Sequence, residues 1–156
     1  MIILIFFLCH WFLSLFFQTF FLHRYSSHKM FKMSPFWEKF FYLSTFLAQG
    51  ASFLNPRAYA IMHRMHHAYS DTEKDPHSPH FFRDVFQMMY YTSLNYGQHV
   101  RRLKEPEQRF QGSIPEWPLI DKWGSTIVCR LMFIGLYTWF YIAFATSWWM
   151  FLLLPI

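Results

Sequence analysis

The charged residues of this 156-residue chain are confined to its centre. Every Asp, Glu, Lys and Arg except Arg130 lies between His23 and Ser125, so both ends of the chain are apolar. Charged residues make up only 15% of the sequence and hydrophobic residues 54%, whereas soluble domains carry roughly 25% charged residues. The pattern therefore predicts an all-α fold with multi-pass membrane helices and a polar middle, and the length allows a single domain.

Two segments are predicted to span the membrane. Residues 1–22 are uncharged and long enough to cross a hydrocarbon core of ~30 Å; they lack the basic start and the small-residue cleavage site of a signal peptide. The second predicted span covers residues 126–145, where Arg130 can extend its charge toward the membrane surface. Basic residues follow the first span directly, which places residue 23 onward in the cytoplasm: Arg24, Lys29 and Lys32.

Two further apolar stretches are too short to cross the membrane as straight helices: residues 40–54, within the run 36–58, and residues 147–156. Residues 36–58 are predicted to form an interfacial or re-entrant run, because histidines stand on both sides of it and a hairpin returns them to one face. A tilted full span, which would separate those histidines, is the alternative. Residues 147–156 resemble the start of another span, because they are too few to recross the bilayer. We therefore expect the chain to be a fragment.

The histidines suggest a metal site, because five of the nine fall in two tight groups, HRYSSH and HRMHH. Imidazole is a common ligand of Fe, Zn, Cu and Ni. On an α-helix each residue advances about 100°, so His63 shares a face with the other two histidines of its group, which diverge from each other. His23 and His28 would diverge by about 140° and approach different ions unless the helix bends. The groups therefore predict a pair of metal ions bound by His23, His28, His63, His66 and His67.

Other kinds of site fit the sequence less well. Neither histidine group contains a cysteine, which argues against a closed structural zinc site. Only His10 lies deep in an apolar run, where an axial haem ligand is more typical. The net charge of +5 arises from basic residues interleaved with acids beside apolar spans. Cytoplasmic charge bias explains this charge, and no nucleic-acid partner is expected.

Several neighbours of the second group have weaker predicted roles. Acidic side chains can orient metal-bound histidines by accepting their second N–H, and a solvated acidic loop is the equally compatible alternative for Asp71, Glu73 and Asp75. His77 and His80 are assigned no ligand role and are expected to be polar loop or supporting residues. His99 is expected at the surface.

HRYSSH and HRMHH resemble the first two histidine boxes, HxxxxH and HxxHH, of the membrane fatty acid desaturases, most closely the acyl-CoA desaturases. The segment HRMHHAYSDTEKDPHSP also resembles the part of that family that leads into DPH. The specific likeness covers residues 20–80. It implies an integral membrane enzyme with two non-haem Fe ions, held by His23, His28, His63, His66 and His67 on the cytoplasmic side.

The resemblance also implies a reaction and its partners. O2 is the co-substrate, a fatty acyl chain carried on coenzyme A loses two hydrogens to form a cis double bond, and electrons come from a ferredoxin or a cytochrome b5-type protein. Membrane lipid surrounds the enzyme. The family has a third box, HxxHH, whereas no histidine follows His99 here, so a chain of this length is expected to be inactive by itself.

Two alternatives to a desaturase remain. A membrane di-iron fatty acyl or alkane hydroxylase would use a similar site but insert oxygen into its substrate. A non-catalytic, histidine-rich metal-binding or transport protein would carry its ligands within the spans, along a path for the ion.

Overall fold

The computed structural model describes residues 1–155, and this part of the chain contains helices and no strand. The predicted all-helical class is thus confirmed. The helices are α1 (Ile2–Phe17), continued by a π-helical segment (Gln18–Ser27), α2 (Pro35–Gln49), α3 (Pro56–Tyr69), α4 (Val85–Val100), α5 (Pro118–Gly124) and α6 (Ile127–Phe144). Short 3-10 turns lie at Gly50–Ser52, Pro79–Phe81, Gln108–Phe110 and Trp148–Leu153. Residue 156, the last of the predicted partial span, lies outside the described residues.

Two helices are long and apolar enough to cross a membrane, Ile2–Ser27 and Ile127–Phe144. Within their most apolar windows only 6% and 22% of residues are buried, whereas the core helix of a soluble protein would be mostly buried. The first helix continues five residues beyond the predicted end of the first span, to Ser27. The predicted run over residues 36–58 falls on α2, a 3-10 turn and the start of α3. Its depth in a membrane stays a prediction.

The chain divides into two compact units. The apolar unit comprises residues 1–21, 33–54 and 117–155. Tyr42, which is buried on α2, donates a hydrogen bond to Asp121 of α5. The guanidinium of Arg130, expected to extend toward the membrane surface, donates to the carbonyl oxygens of Ala51 and Phe53 at 3.0 and 3.2 Å. These bonds fasten α6 to the turn that follows α2.

Gly50 ends α2 in a conformation that only glycine adopts readily, with φ +52° and ψ −116°. A Cβ atom at this position would lie 1.8 Å from the hydroxyl oxygen of Tyr137. Glycine therefore allows both the turn and the close approach of α6.

The polar unit comprises residues 22–32 and 55–116. Its helix α3 begins at Asn55, whose side chain accepts a hydrogen bond from the amide of Ala58 at 3.0 Å, and Pro56 occupies the first turn. Helix α4 begins similarly at Asp84, which accepts from the amide of Gln87 at 2.8 Å. These caps fix where both helices start, and the polar unit contains both histidine groups.

Candidate metal centre

A π-helical turn brings the two histidines of the first group together. The amide of His28 donates to the carbonyl oxygen of His23 at 3.0 Å, which is the i to i+5 bond of a π-helix. Their ring centroids lie 4.6 Å apart. The expectation that these rings diverge was wrong, because it assumed α-helical spacing. In a π-helix, residues five apart lie on the same face.

Helix α3 brings two histidines of the second group to the same place. The Nε2 atom of His63 lies 3.0 Å from the Nε2 atom of His67, one turn along α3, and 3.0 Å from the Nε2 atom of His28. One ring nitrogen from each of four histidines lies within 4.8 Å of the others. We call this group the four-histidine cluster: His23, His28, His63 and His67.

The spacing of these nitrogens suits a metal ion. Two nitrogens that each lie about 2.1 Å from one ion are separated by about 3.0–3.4 Å, for bond angles between a right angle and a tetrahedral angle. The two observed separations of 3.0 Å fit this range. In addition, the buried Nδ1 atom of His23 has no hydrogen-bond partner among the described residues. The donor set therefore fits a transition-metal ion.

The electrostatics also favour metal binding, which requires neutral imidazole. Burial lowers the pKa of His63 to about 3, with a further contribution from the surrounding histidines, first His23 and then His67. Burial, followed by the charges of His23, His67 and Arg64, lowers the pKa of His28. Both rings are therefore neutral near pH 7 and need lose no proton to bind a metal.

His66 lies outside the four-histidine cluster and contacts Asp75 instead. Its Nδ1 atom lies 2.9 and 3.0 Å from the two carboxylate oxygens. Burial raises the pKa of Asp75, but the hydrogen bonds from His66 and from the amides of His77 and Asp71 outweigh burial and lower it overall. Asp75 is therefore an ionised acceptor, so Nδ1 of His66 carries the hydrogen and Nε2 is left to bind a metal.

Sequence reasoning missed the position of His77 and did not select among the acids. His77 stacks on His66 with ring centroids 4.2 Å apart, because the loop after α3 folds back on the helix. Asp75 contacts a predicted ligand, whereas the side chain of Asp71 faces His80 at 3.5 Å. Glu73 is exposed. The tripeptide DPH, in which Asp75 precedes Pro76 and His77, was the one signal available in the sequence.

The expectation that His99 lies at the surface was wrong. His99 is 1% exposed, and its carbonyl oxygen accepts a hydrogen bond from Arg57 at 3.0 Å. The last turn of α4 faces α3, so a histidine close to a basic run is buried. Neither of its ring nitrogens has a partner among the described residues.

The family profile described as Fatty acid desaturase matches residues 1–156. The chain belongs to the fatty acid desaturase family. The resemblance inferred from the two histidine groups is thereby confirmed.

Curated relatives align with this chain over about a third of its length. It is 40% identical to the Delta-9 desaturase-like 4 protein of Arabidopsis thaliana over 63 residues, 39% of the chain and 19% of the relative. It is 41% identical to the Acyl-CoA C20 Delta5-desaturase of Anemone leveillei over 58 residues, 36% of the chain and 17% of the relative.

A third relative is the chloroplastic Palmitoyl-monogalactosyldiacylglycerol delta-7 desaturase of Arabidopsis thaliana, 42% identical over 57 residues. This alignment covers 36% of the chain and 15% of the relative. The chain thus aligns with less than a fifth of each of these relatives, and their names differ in the acyl carrier. No solved structure matches the chain.

Proposed function

We propose that this desaturase takes part in the O2-dependent insertion of a cis double bond into a fatty acyl chain, carried on coenzyme A, at a di-iron centre. The observation that carries the proposal is the convergence of two separate segments of chain in the four-histidine cluster. Membership of the desaturase family supports the choice of substrate and reaction.

Five histidines would hold the two irons. His23, His28, His63 and His67 already share one place, and His66, the next residue on α3 before His67, points toward Asp75. Adjacent residues on a helix diverge by about 100°, so His66 would serve the second ion. With these assignments, the five histidines would together bind two metal ions.

The iron pair, when bound, would activate O2 and supply the oxidising power that breaks an unactivated C–H bond, which side chains alone cannot provide. Overall, a –CH2–CH2– unit, O2, two electrons and two protons give a –CH=CH– unit and two water molecules. The residues of the chain have simpler tasks. The imidazoles bind in their neutral form, and Asp75 keeps the hydrogen of His66 on Nδ1.

The same proposal assigns surroundings and partners. The apolar helices Ile2–Ser27 and Ile127–Phe144 would cross the membrane, with the histidines on the cytoplasmic side because Arg24, Lys29 and Lys32 accompany the first group. A ferredoxin or a cytochrome b5-type protein would deliver the electrons. His23 and His28 lie at the end of the first apolar helix, whereas a transport path would place ligands along its length.

Because a chain of this length is expected to be inactive by itself, the test uses the full-length protein that contains it, produced in cells that receive a saturated fatty acid labelled with deuterium. We expect His63→Ala to abolish the labelled alkene, and the control His80→Ala to preserve it, because His80 is exposed and faces Asp71 rather than the cluster. Unsaturation that persists with His63→Ala contradicts the proposal. A labelled alcohol in place of the alkene assigns the protein to the hydroxylases and contradicts it too.

A further inference from the structure

Arg64 lies on α3 between two predicted metal ligands, His63 and His66, but its side chain points into the backbone of other segments. The half-buried guanidinium donates through Nε to the carbonyl oxygen of Ser27 at 2.9 Å and through Nη2 to that of Ser26 at 2.8 Å. Both carbonyl groups belong to the π-helical segment, between His23 and His28 in sequence.

The third nitrogen of the guanidinium reaches a different segment. Nη1 of Arg64 donates to the carbonyl oxygens of Phe110 at 3.0 Å and Gly112 at 3.2 Å, with a longer contact of 3.4 Å to Gln111. One side chain therefore binds carbonyl groups of two segments, the end of the π-helical segment and residues 110–112. The last carbonyl groups of any helix lack intrahelical donors, so these contacts compensate for the end of the π-helix.

The contact with Ser26 and Ser27 sets the position of one histidine pair relative to the other. A further link between these segments is the hydrogen bond from Ser26 Oγ to the carbonyl oxygen of Pro56, at 3.3 Å. The two bonds from Arg64 are shorter, and they come from the helix that bears His63 and His67. The rigid, planar guanidinium of arginine presents five N–H donors on three nitrogens and can reach acceptors in different segments, whereas the three donors of lysine all lie on one nitrogen.

We propose that Arg64 is a positioning residue, which clamps the segment of His23 and His28 onto α3 so that the four-histidine cluster has the spacing of metal ligands. This inference rests on the proposed metal centre. It means that Arg64 affects the affinity for the metal although its side chain does not bind the metal. Residues that orient metal ligands typically change affinity by about 10–100-fold when they are mutated.

A second arginine of α3 provides a matched control. Arg57 is also buried, donates to a backbone carbonyl, that of His99 at 3.0 Å, and forms an ion pair with Glu116 at 3.6 Å. Its partners lie outside the two histidine groups. Replacing Arg57 therefore removes a buried arginine of the same helix without releasing the segment of His23 and His28.

The first experiment measures Co²⁺ affinity of the whole chain in detergent, for the wild type and for Arg64→Lys, Arg64→Met and Arg57→Lys. The folded fraction of each variant is matched by circular dichroism. We expect both Arg64 variants to bind Co²⁺ about 10–100-fold more weakly and to lose the visible absorption band of Co²⁺ bound at an ordered site. Arg57→Lys should bind Co²⁺ as the wild type does. The clamp is overturned if Arg64→Lys binds Co²⁺ as tightly as the wild type, or if Arg57→Lys loses as much Co²⁺ affinity as the Arg64 variants.

A second experiment needs no metal. Spin labels are attached at Met30→Cys, three residues after the π-helical segment, and at Ala68→Cys on α3, both at exposed positions. They report the distance between the end of that segment and α3 after Cys9 and Cys129 are replaced by Ala. We expect a broadened distance distribution with Arg64→Met and an unchanged one with Arg57→Lys. An unchanged distribution with Arg64→Met overturns the clamp. If the distribution broadens with Arg64→Met but the wild type binds no Co²⁺, the clamp is supported and the proposed metal centre is contradicted.

Discussion

Both carboxylate oxygens of Asp75 lie within hydrogen-bond distance of Nδ1 of His66, at 2.9 and 3.0 Å. The amides of His77 and Asp71 donate to the same carboxylate, at 3.1 and 3.3 Å. A carboxylate with this many donors stays ionised, and it fixes both the orientation of the His66 ring and the nitrogen that carries the hydrogen.

Asp75→Asn should therefore weaken metal binding. The amide removes the charge and can present N–H where an acceptor is needed, so His66 loses its fixed tautomer. We expect the affinity for the ion that His66 binds to fall by about 10–100-fold, measured as the second step of a Co²⁺ titration of the whole chain. Asp71→Asn is the control, since the Asp71 side chain is exposed and faces His80. Equal affinities for Asp75→Asn and the wild type would show that Asp75 does not orient a ligand.

Gly50→Ala should destabilise the apolar unit. The left-handed conformation at Gly50 costs a non-glycine residue about 1–3 kcal/mol, and the added Cβ meets the Tyr137 hydroxyl. We expect a lower thermal unfolding temperature, partly restored by the second change Tyr137→Phe, which removes the clashing oxygen. Gly135→Ala is the control, because a Cβ at Gly135 meets nothing within 4 Å and alanine favours a helix. A Gly50→Ala protein as stable as the wild type contradicts the described turn.

His99 should make the polar unit sensitive to acid. Burial lowers the pKa of His99 below the ordinary 6.5, and the charges of Lys104 and Arg57 lower it further. The backbone of Lys104 and the charge of Glu105 raise it, but they do not offset the lowering. The unfolded chain therefore takes up this proton at a higher pH than the folded chain. The stability contributed by neutral His99 is present above about pH 6.5 and is lost as the pH falls toward the folded-state pKa.

The measurement for this prediction is the free energy of unfolding at about pH 7 and about pH 5, on either side of that range. We expect a smaller decrease on acidification in His99→Leu than in the wild type. The exposed control His80→Leu should show the wild-type decrease. A decrease in His99→Leu as large as in the wild type would mean that His99 titrates alike in the folded and unfolded chains.

Local sequence spacing predicted the part of the site that follows local rules. His63 and His67 are four residues apart on α3, and their Nε2 atoms meet at 3.0 Å as the α-helical period requires. His23 and His28 could not be predicted in the same way, because a π-helix changes the period and the sequence carries no simple signal for it. Their ring separation of 4.6 Å follows from that change.

The remaining features depend on contacts between distant segments. Nothing in HRMHH distinguishes Arg64 from an ordinary surface arginine. Its proposed role depends on hydrogen bonds to the carbonyl oxygens of Ser27 and Phe110, which are distant in sequence. His99 is buried because the end of α4 packs toward Arg57. The helical class, in contrast, was predicted from the two apolar ends and the polar middle, which are visible in the sequence itself.

The central claim is that the two histidine groups bind iron together. It is tested most directly by X-ray absorption at the iron edge on the purified whole chain after loading with Fe²⁺. We expect retained iron with imidazole nitrogens at about 2.1 Å, reduced to background by His63→Ala and unaffected by His80→Ala. Iron that washes away, or that is bound only by oxygen ligands equally well in His63→Ala, would contradict it.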